Sequence, residues 1–527
     1  MRLSILIYLL LLTRLGLAQT PPRADVLIRN GQLYDGTGNA WITGDVAIRA
    51  GRIVAVGHLP ADYPAEMVLD AKGLAVAPGF IDVHTHIEDD EVQQPTADNF
   101  LYDGVTTVVT GNCGSSRLNL GRYFQQLDSL RLSVNTASFV GHGTVRKAVM
   151  GRAKRAPTEA ELQQMEALVA QAMQEGAVGL SSGLIYVPGT YSRTPEMVRL
   201  ARVAGQHHGL YATHMRNESD SVTFAIQEVL GVAREAGLPL EISHLKLGGQ
   251  QNWGHADRLL GLIEQARHAG QQVTIDQYPY TASSTSLSTL LPDDVQADGR
   301  DSLRARLQRP KVRAAVEADM LRRLKRRGLK HYSYAVVASF PPDTSYQGLS
   351  IEEINRRRKR PHKARAEAAT IQELVLQYDA GMVFHGMSEP DVQQIMRYPQ
   401  NMVASDASIR VWQQGMPHPR GYGSNARVLG HYVRELHVLT LEDAIRRMTS
   451  LPAQTMGFPD RGLLRPGYAA DIVVFDPATV LDRSTFTQPH QYSTGMKYVL
   501  VNGRLTVQEG KHTGLRNGQV LYGAGKR

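Results

Sequence analysis

Between residues 78 and 455 the sequence repeats one pattern, a short apolar run of strand type followed by a longer helical stretch. Runs at 106–110, 178–181, 211–213, 240–243, 273–276, 382–384 and 402–405 alternate with helix-like segments such as 158–174 and 195–208. Strands separated by helices pair in parallel, because each helix carries the chain back across the sheet, and such a sheet must be covered on its faces. At this length, closure into a (β/α)8 TIM-like barrel is expected over one open sheet. The flanks, 24–77 and 456–527, read instead as short alternating strands broken by Gly turns, for example D-V-L-I-R-N-G (25–31) and A-D-I-V-V-F-D (470–476). They are expected to join as one small β-sandwich beside the barrel. Residues 292–370 interrupt the alternation with Arg-rich helical stretches and a Pro341-Pro342 turn, and are expected to be an inserted subdomain.

That insert explains the charge of the chain. A net charge of +8 over 527 residues suggests nucleic acid or a membrane surface as partner. Residues 301–370, however, hold 18 of the 58 Lys+Arg and only 7 of the 50 Asp+Glu, so the rest of the chain is slightly acidic. Basic runs such as R-R-L-K-R-R (322–327) and R-R-R-K-R (356–360) read as solvated helix faces, and no nucleic-acid partner is expected.

Residues 1–18 have a basic start (Met1-Arg2), an apolar run over 3–12 and small residues at Gly16 and Ala18, the layout of a cleaved signal peptide. The run is too short to span a bilayer, so no membrane role beyond the signal is expected, and the protein is expected to be exported, periplasmic or secreted. A single cysteine, Cys113, excludes an intramolecular disulfide framework and a Cys-rich zinc finger.

Chemistry concentrates where apolar runs end. His84 and His86 close G-F-I-D-V-H-T-H, and a spacing of two on a strand points both imidazoles to one face. With 18 His in the chain, about 0.6 such pairs would arise by chance, so context must decide. Cys113, His214, His244 and Asp406 each follow an apolar run in the same way. Singly, a buried Cys is a small hydrophobe, a His satisfied core or surface, and an Asp after a strand a helix N-cap. Together they sit where barrel active sites lie, at the C-terminal ends of strands. Gly111 to Gly114 form neither a P-loop nor a dinucleotide fingerprint.

The blocks A-P-G-F-I-D-V-H-T-H (77–86), G-V-T-T-V-V-T-G-N-C-G (104–114), G-L-S-S-G-L-I-Y-V-P-G (179–189), T-H-M-R-N-E (213–218), I-S-H-L-K (242–246), D-Q-Y-P-Y (276–280), S-D-A-S (405–408) and H-P-R-G-Y-G (418–423) carry a resemblance. The chain resembles the amidohydrolase superfamily and, within it, the N-acyl-D-amino-acid deacylases (D-aminoacylases), from about residue 24 to 521. The resemblance implies a distorted (β/α)8 barrel with Zn²⁺ held tightly by Cys113, His214 and His244, a weaker second position at His84 and His86, and the Cys thiolate where many relatives have a carboxylated Lys. Thiolate and neutral imidazoles suit Zn²⁺. It further implies hydrolysis of the amide of a small N-acyl-D-amino acid, with Asp406 as general acid/base and the α-carboxylate bound by Lys246, Tyr278, Ser284 and Arg420.

Relatives acting on acidic D-amino acids are expected to carry an additional Arg after Tyr278. Residues 283–292 hold no basic residue, so a neutral or hydrophobic side chain is expected. His142, in F-V-G-H-G-T-V-R, is expected either to line the pocket or to make a structural hydrogen bond. A dipeptidase, a D-aminopeptidase and a cyclic-amide hydrolase remain open on the same scaffold, since one barrel hosts many substrates.

Overall fold

The computed structural model describes residues 23–526; the expected signal peptide lies outside the described residues. Eight parallel strands form the barrel: β1 (Phe80–Asp82), β2 (Val105–Thr110), β3 (Asn135–Ser138, continued by Val140–Gly141), β4 (Gly179–Gly183), β5 (Leu210–His214), β6 (Leu240–Ile242), β7 (Val273–Gln277) and β8 (Asn401–Val403). Neighbours pair in sequence order from β1 through β8. The ring closes just beyond the last and first strands. Thr85 bridges Ala407 in parallel, His86 N–H donates to Ala407 O (2.9 Å), and Asp406 N–H donates to His84 O (2.9 Å). Asp82 adds a side-chain tie, accepting from Ser405 N–H at 3.1 Å.

The helices between strands carry their own start and stop signals. The Glu159–Glu175 helix opens on a capping box, in which Thr158 accepts from Glu161 N–H while Glu161 accepts from Thr158 N–H, and it stops at Gly176, whose φ of 115° suits glycine. Its buried residues Met165, Val169, Ala172 and Met173 recur at helical spacing and face the barrel core. The Thr194–Gln206 helix packs beside it in the outer ring, and the Val222–Ala236 helix packs beside that one.

The two chain ends share one nine-stranded sheet. Ala75–Pro78 pairs parallel with Ala24–Leu33 and antiparallel with Ile472–Phe475, which splices the N-terminal strands to the C-terminal ones. The sheet folds over, bridging Arg52 to Ala469, and encloses a separate core that includes Ile28, Val46, Ile48, Ile472 and Leu500. Beyond it the chain runs back to the barrel, where Val520 bridges Thr136.

The insert is larger than expected. It begins at Ala282–Ser286 and ends at Gly381–His385, which with Ala335–Ser339 make a three-stranded antiparallel sheet. Helices Pro310–Arg326, Ile351–Arg357 and Ala364–Gln377 cover it around a core of its own, including Leu324, Ile351, Ile371 and Met382. The expectation that 382–384 is a strand of the β–α alternation is therefore corrected. A short apolar run says that a strand is buried, not which sheet owns it or in which direction it pairs. The first strand, A-S-S-T-S, has no apolar alternation to announce it.

Candidate metal centre and substrate cleft

The expected metal donors and Asp406 all come to the C-terminal rim of the barrel. His84 and His86 follow β1, Cys113 follows β2, His214 ends β5, His244 follows β6, and Asp406 follows β8. Three of these, Cys113 (φ 52°), His244 (φ 37°) and Asp406 (φ 50°), hold left-handed backbone. Non-glycine residues adopt it seldom, and such strain concentrates at functional sites. The close seat of the Cys113 loop also needs missing side chains: a Cβ on Gly183 would lie 2.1 Å from Cys113 O, and Gly114 (φ +75°) faces Gly183 N in the same way at 2.7 Å.

Cys113 Sγ is the centre of the cluster. It lies 3.3 Å from His84 Nε2, 3.6 Å from His244 Nε2 and 3.7 Å from His214 Nδ1. Ligand atoms lie within 4.8 Å of one another in three overlapping sets: His84, His86 and Cys113; Cys113, His214 and His244; and His84, His244 and Asp406. Burial, and after it the Asp406 carboxylate, pushes the Cys113 thiol well up. Burial also holds the His214 and His244 imidazoles below their usual range, hence neutral and able to donate a lone pair. A largely desolvated thiol among neutral imidazoles and carboxylates becomes a stable thiolate only beside a cation, so the donor set fits a divalent metal.

Several residues that orient these groups stood inside the quoted sequence blocks without being singled out. Asp276, on β7, accepts from His84 Nδ1 (3.1 Å) and from the His244 backbone N–H (2.9 Å). Glu218 lies 3.0 Å from His244 Nδ1 and 2.6 Å from Lys246 Nζ, with His214 Nε2 at 3.6 Å. Carboxylates placed behind ligating imidazoles fix tautomer and ring orientation. Burial opposes ionisation of Glu218, but His214, Lys246 and His244 outweigh it and hold its carboxyl well below the usual range. Burial, then Asp276, pushes the Glu241 carboxyl well up, so Glu241 keeps its proton. Burial alone would raise the Asp276 carboxyl; His84, then Glu241 and His244, together hold it below the usual range. Tyr186 turns its hydroxyl to His214 Nδ1 (3.5 Å) and Thr285 Oγ1 (3.0 Å).

Asp406 joins the donor cluster to the expected carboxylate-binding group. Its Oδ1 lies 3.3 Å from His86 Nε2 and 3.7 Å from His84 Nε2, while its Oδ2 pairs with Arg420 Nη1 at 2.8 Å. Burial alone would raise its carboxyl; Arg420 first, then His84 and His86, hold it well below the usual range. The Arg420 guanidinium stacks over the Tyr278 ring at 4.5 Å, and Lys246 Nζ approaches the same ring at 5.6 Å. Arg420 Nη2 also reaches Ser284 O at 3.4 Å. Lys246, Tyr278, Ser284 and Arg420 thus converge. Neither cation stands alone, since Lys246 is engaged by Glu218 and Arg420 by Asp406.

Two lobes of one cleft, about 650 Å³ and 440 Å³, meet at Asp406, Tyr186, Ser284 and Thr285. The first takes in His86, Cys113, Arg420, Lys147, Arg152 and Arg410; the second takes in His214, His244, Lys246, Tyr278 and, from the insert, Arg323 and Arg326. His142 makes the structural hydrogen bond: fully buried, its Nε2 meets Glu196 Oε1 at 2.9 Å, and Arg146 braces the same carboxylate.

Residues 67–507 match the model of the amidohydrolase family. The chain is 36% identical over 520 residues to D-aminoacylase of Alcaligenes xylosoxydans xylosoxydans, covering 94% of this chain and 97% of that protein. It is also 36% identical to N-acyl-D-glutamate deacylase of the same organism, covering 91% and 93%. In structure it is similar to N-acyl-D-glutamate deacylase from Bordetella bronchiseptica, solved with zinc and a phosphonate inhibitor that mimics the tetrahedral intermediate. That likeness has a TM-score of 0.80 at 35% identity over 95% of this chain and all of the other. A closed parallel barrel with Cys113 among His84, His86, His214 and His244 at its rim, together with full-length likeness to these enzymes, makes the chain a member of the amidohydrolase family, in its D-aminoacylase branch.

Proposed function

We propose that the protein hydrolyses the amide bond of small N-acyl-D-amino acids, releasing a carboxylate and a free D-amino acid. The observation that carries this reading is the contact of Asp406 with both halves of the site, imidazoles of the donor cluster on Oδ1 and the Arg420 guanidinium on Oδ2. Zn²⁺ would be held by Cys113, His214 and His244, with His84 and His86 offering a second position; when bound, it supplies Lewis acidity that acidifies a water and polarises the scissile carbonyl. Asp406 takes the water's proton and returns it to the departing nitrogen, which cannot leave as an amide anion. The Tyr278 hydroxyl has only the Met387 thioether, at 4.0 Å, as a partner among the described residues, and is free to donate to a substrate carboxylate beside Arg420. Arg420 and Lys246 on one side and the donor cluster on the other give three fixed points, enough to select one hand at the α-carbon.

The side-chain preference proposed is neutral or hydrophobic, on the absence of a basic residue in 283–292. A second reading, an acidic side chain, is favoured by Lys147, Arg152 and Arg410 around the first lobe. Relative turnover of N-acetyl-D-leucine, N-acetyl-D-methionine and N-acetyl-D-glutamate decides between them. L-counterparts, dipeptides and hydantoins in the same panel test the dipeptidase, aminopeptidase and cyclic-amide alternatives. The reading as a whole is tested by metal content and by Cys113→Ala: purified protein carries zinc and the variant loses activity, whereas a zinc-free active protein or a fully active variant overturns it. Export, proposed from residues 1–18, predicts a mature N-terminus at Gln19, read by mass spectrometry of the protein from its native host.

A further inference from the structure

We propose that the insert carries a divalent-metal site of its own, built by His331, Glu352 and His362 and sharing no residue with the barrel cluster. One ligand atom from each of the three lies within 4.8 Å of the others. The three come from separate stretches of the insert. His331 lies between the Pro310–Arg326 helix and the Ala335–Ser339 strand, Glu352 in the first turn of the Ile351–Arg357 helix, and His362 in the connection to the Ala364–Gln377 helix.

Each is held in place before any ion arrives. His331 Nδ1 lies 2.6 Å from Oε1 of Glu367, a fully buried carboxylate whose other oxygen accepts from Tyr332 N–H at 2.8 Å. With its proton on Nδ1 donated to that carboxylate, His331 keeps the Nε2 lone pair for a metal, the arrangement in which a carboxylate behind an imidazole fixes its tautomer. The His362 ring lies parallel to that of His331, with centroids 4.2 Å apart at 17°, and its Nε2 meets Glu352 Oε1 at 2.6 Å. The connection carrying His362 is pinned by Asn355 Nδ2, which donates to Pro361 O at 2.9 Å. A Ser350 and Glu353 capping box sets the helix turn that carries Glu352. Beside Glu352 the two imidazoles bring three donor atoms within reach of a single ion, and the half-exposed His362 ring has room to turn its lone pair toward it. Two imidazoles and one carboxylate suit Zn²⁺, Ni²⁺ or Co²⁺ rather than Ca²⁺ or Mg²⁺. Such an ion would clip three stretches of the insert together.

The test uses full-length protein, His362→Ala and Glu352→Gln, each dialysed to equilibrium against Zn²⁺ alone. His362 is half exposed and Glu352→Gln keeps the side-chain shape, so the two variants reach the site from different partners. Both are expected to lose about one zinc per chain, with no loss of the zinc that Cys113→Ala removes and no change in turnover of the best N-acyl substrate. On a Cys113→Ala background, zinc is expected to raise the melting temperature, and adding His362→Ala is expected to abolish that rise. Zinc content equal to the parent in either variant, or a melting rise that survives in the double variant, overturns the proposal. The zinc count stands whether or not the substrate reading does.

Discussion

The barrel rim and the insert use the same residue types to opposite effect. At the rim, buried Arg420 pairs with the part-buried Asp406 at 2.8 Å, and buried Lys246 with the part-buried Glu218 at 2.6 Å. In the insert, Arg322 and Arg326 are 67% and 62% exposed and pair with Asp319 and Asp220 at the surface. A buried pair acts in low dielectric and cannot lose one member cheaply, whereas an exposed pair is screened and contributes little. The density of charge in a sequence and its chemical use are separate matters. The segment that makes this chain basic is mostly a solvated face, and the few charges that matter for reactivity belong to the slightly acidic remainder.

The sharpest way to break this contrast is Asp406→Asn. It keeps the shape but removes the proton carrier and leaves Arg420 without its anion, so kcat should fall by about 10²–10⁴-fold, with some loss of melting temperature beside it. A loss below tenfold would remove Asp406 from the chemistry. Next is Arg420→Lys, which keeps the charge but not the planar fork that spans Asp406 and the Tyr278 face. A decrease in kcat/KM of about 10–10²-fold is expected, with KM carrying part of it. Glu218→Gln acts one layer further out, weakening metal affinity by about 10–10²-fold in a chelator competition while leaving the fold intact. The smallest effect is expected in the insert: Arg326→Ala should change stability by no more than about 1 kcal/mol in denaturant unfolding. Raising ionic strength should lower kcat/KM by less than about twofold, because charges on a solvated face are already screened by water and counterions. A steep salt dependence would instead make the insert an electrostatic funnel for carboxylate substrates.

Much of the site was legible because catalytic groups of a barrel stand where an apolar strand stops, and that transition is visible in one dimension. His84, Cys113, His214, His244 and Asp406 all carry that mark. Glu218 and Tyr186 do not, and Asp276, which closes the run at 273–276, carries it without showing which ligand it serves. Each lies within a quoted block, yet its role depends on which side chain it meets across the ring, as Asp276 meets His84. The extent of the insert was hidden for a related reason. Ala282–Ser286 is too polar to read as a strand, and Gly381–His385 is too short to reveal that it pairs antiparallel with it. Periodicity reports burial of a face, while partner and direction are properties of the assembled sheet.

By itself, then, the sequence determined the alternation that demands a parallel barrel, the two strand-rich ends, the interrupting basic segment and six donors at strand ends, because each is a local pattern of polarity with a fixed period. Only the tertiary structure decided three further things: that the ring closes from Ala407 to Thr85, that one thiol lies within 3.7 Å of three imidazoles, and that the two cations expected to meet substrate are already matched by Asp406 and Glu218. The first of these joins residues as far apart in sequence as Asp82 and Ser405, which are 323 positions apart. No local pattern encodes such distances; closing the barrel sets them all at once.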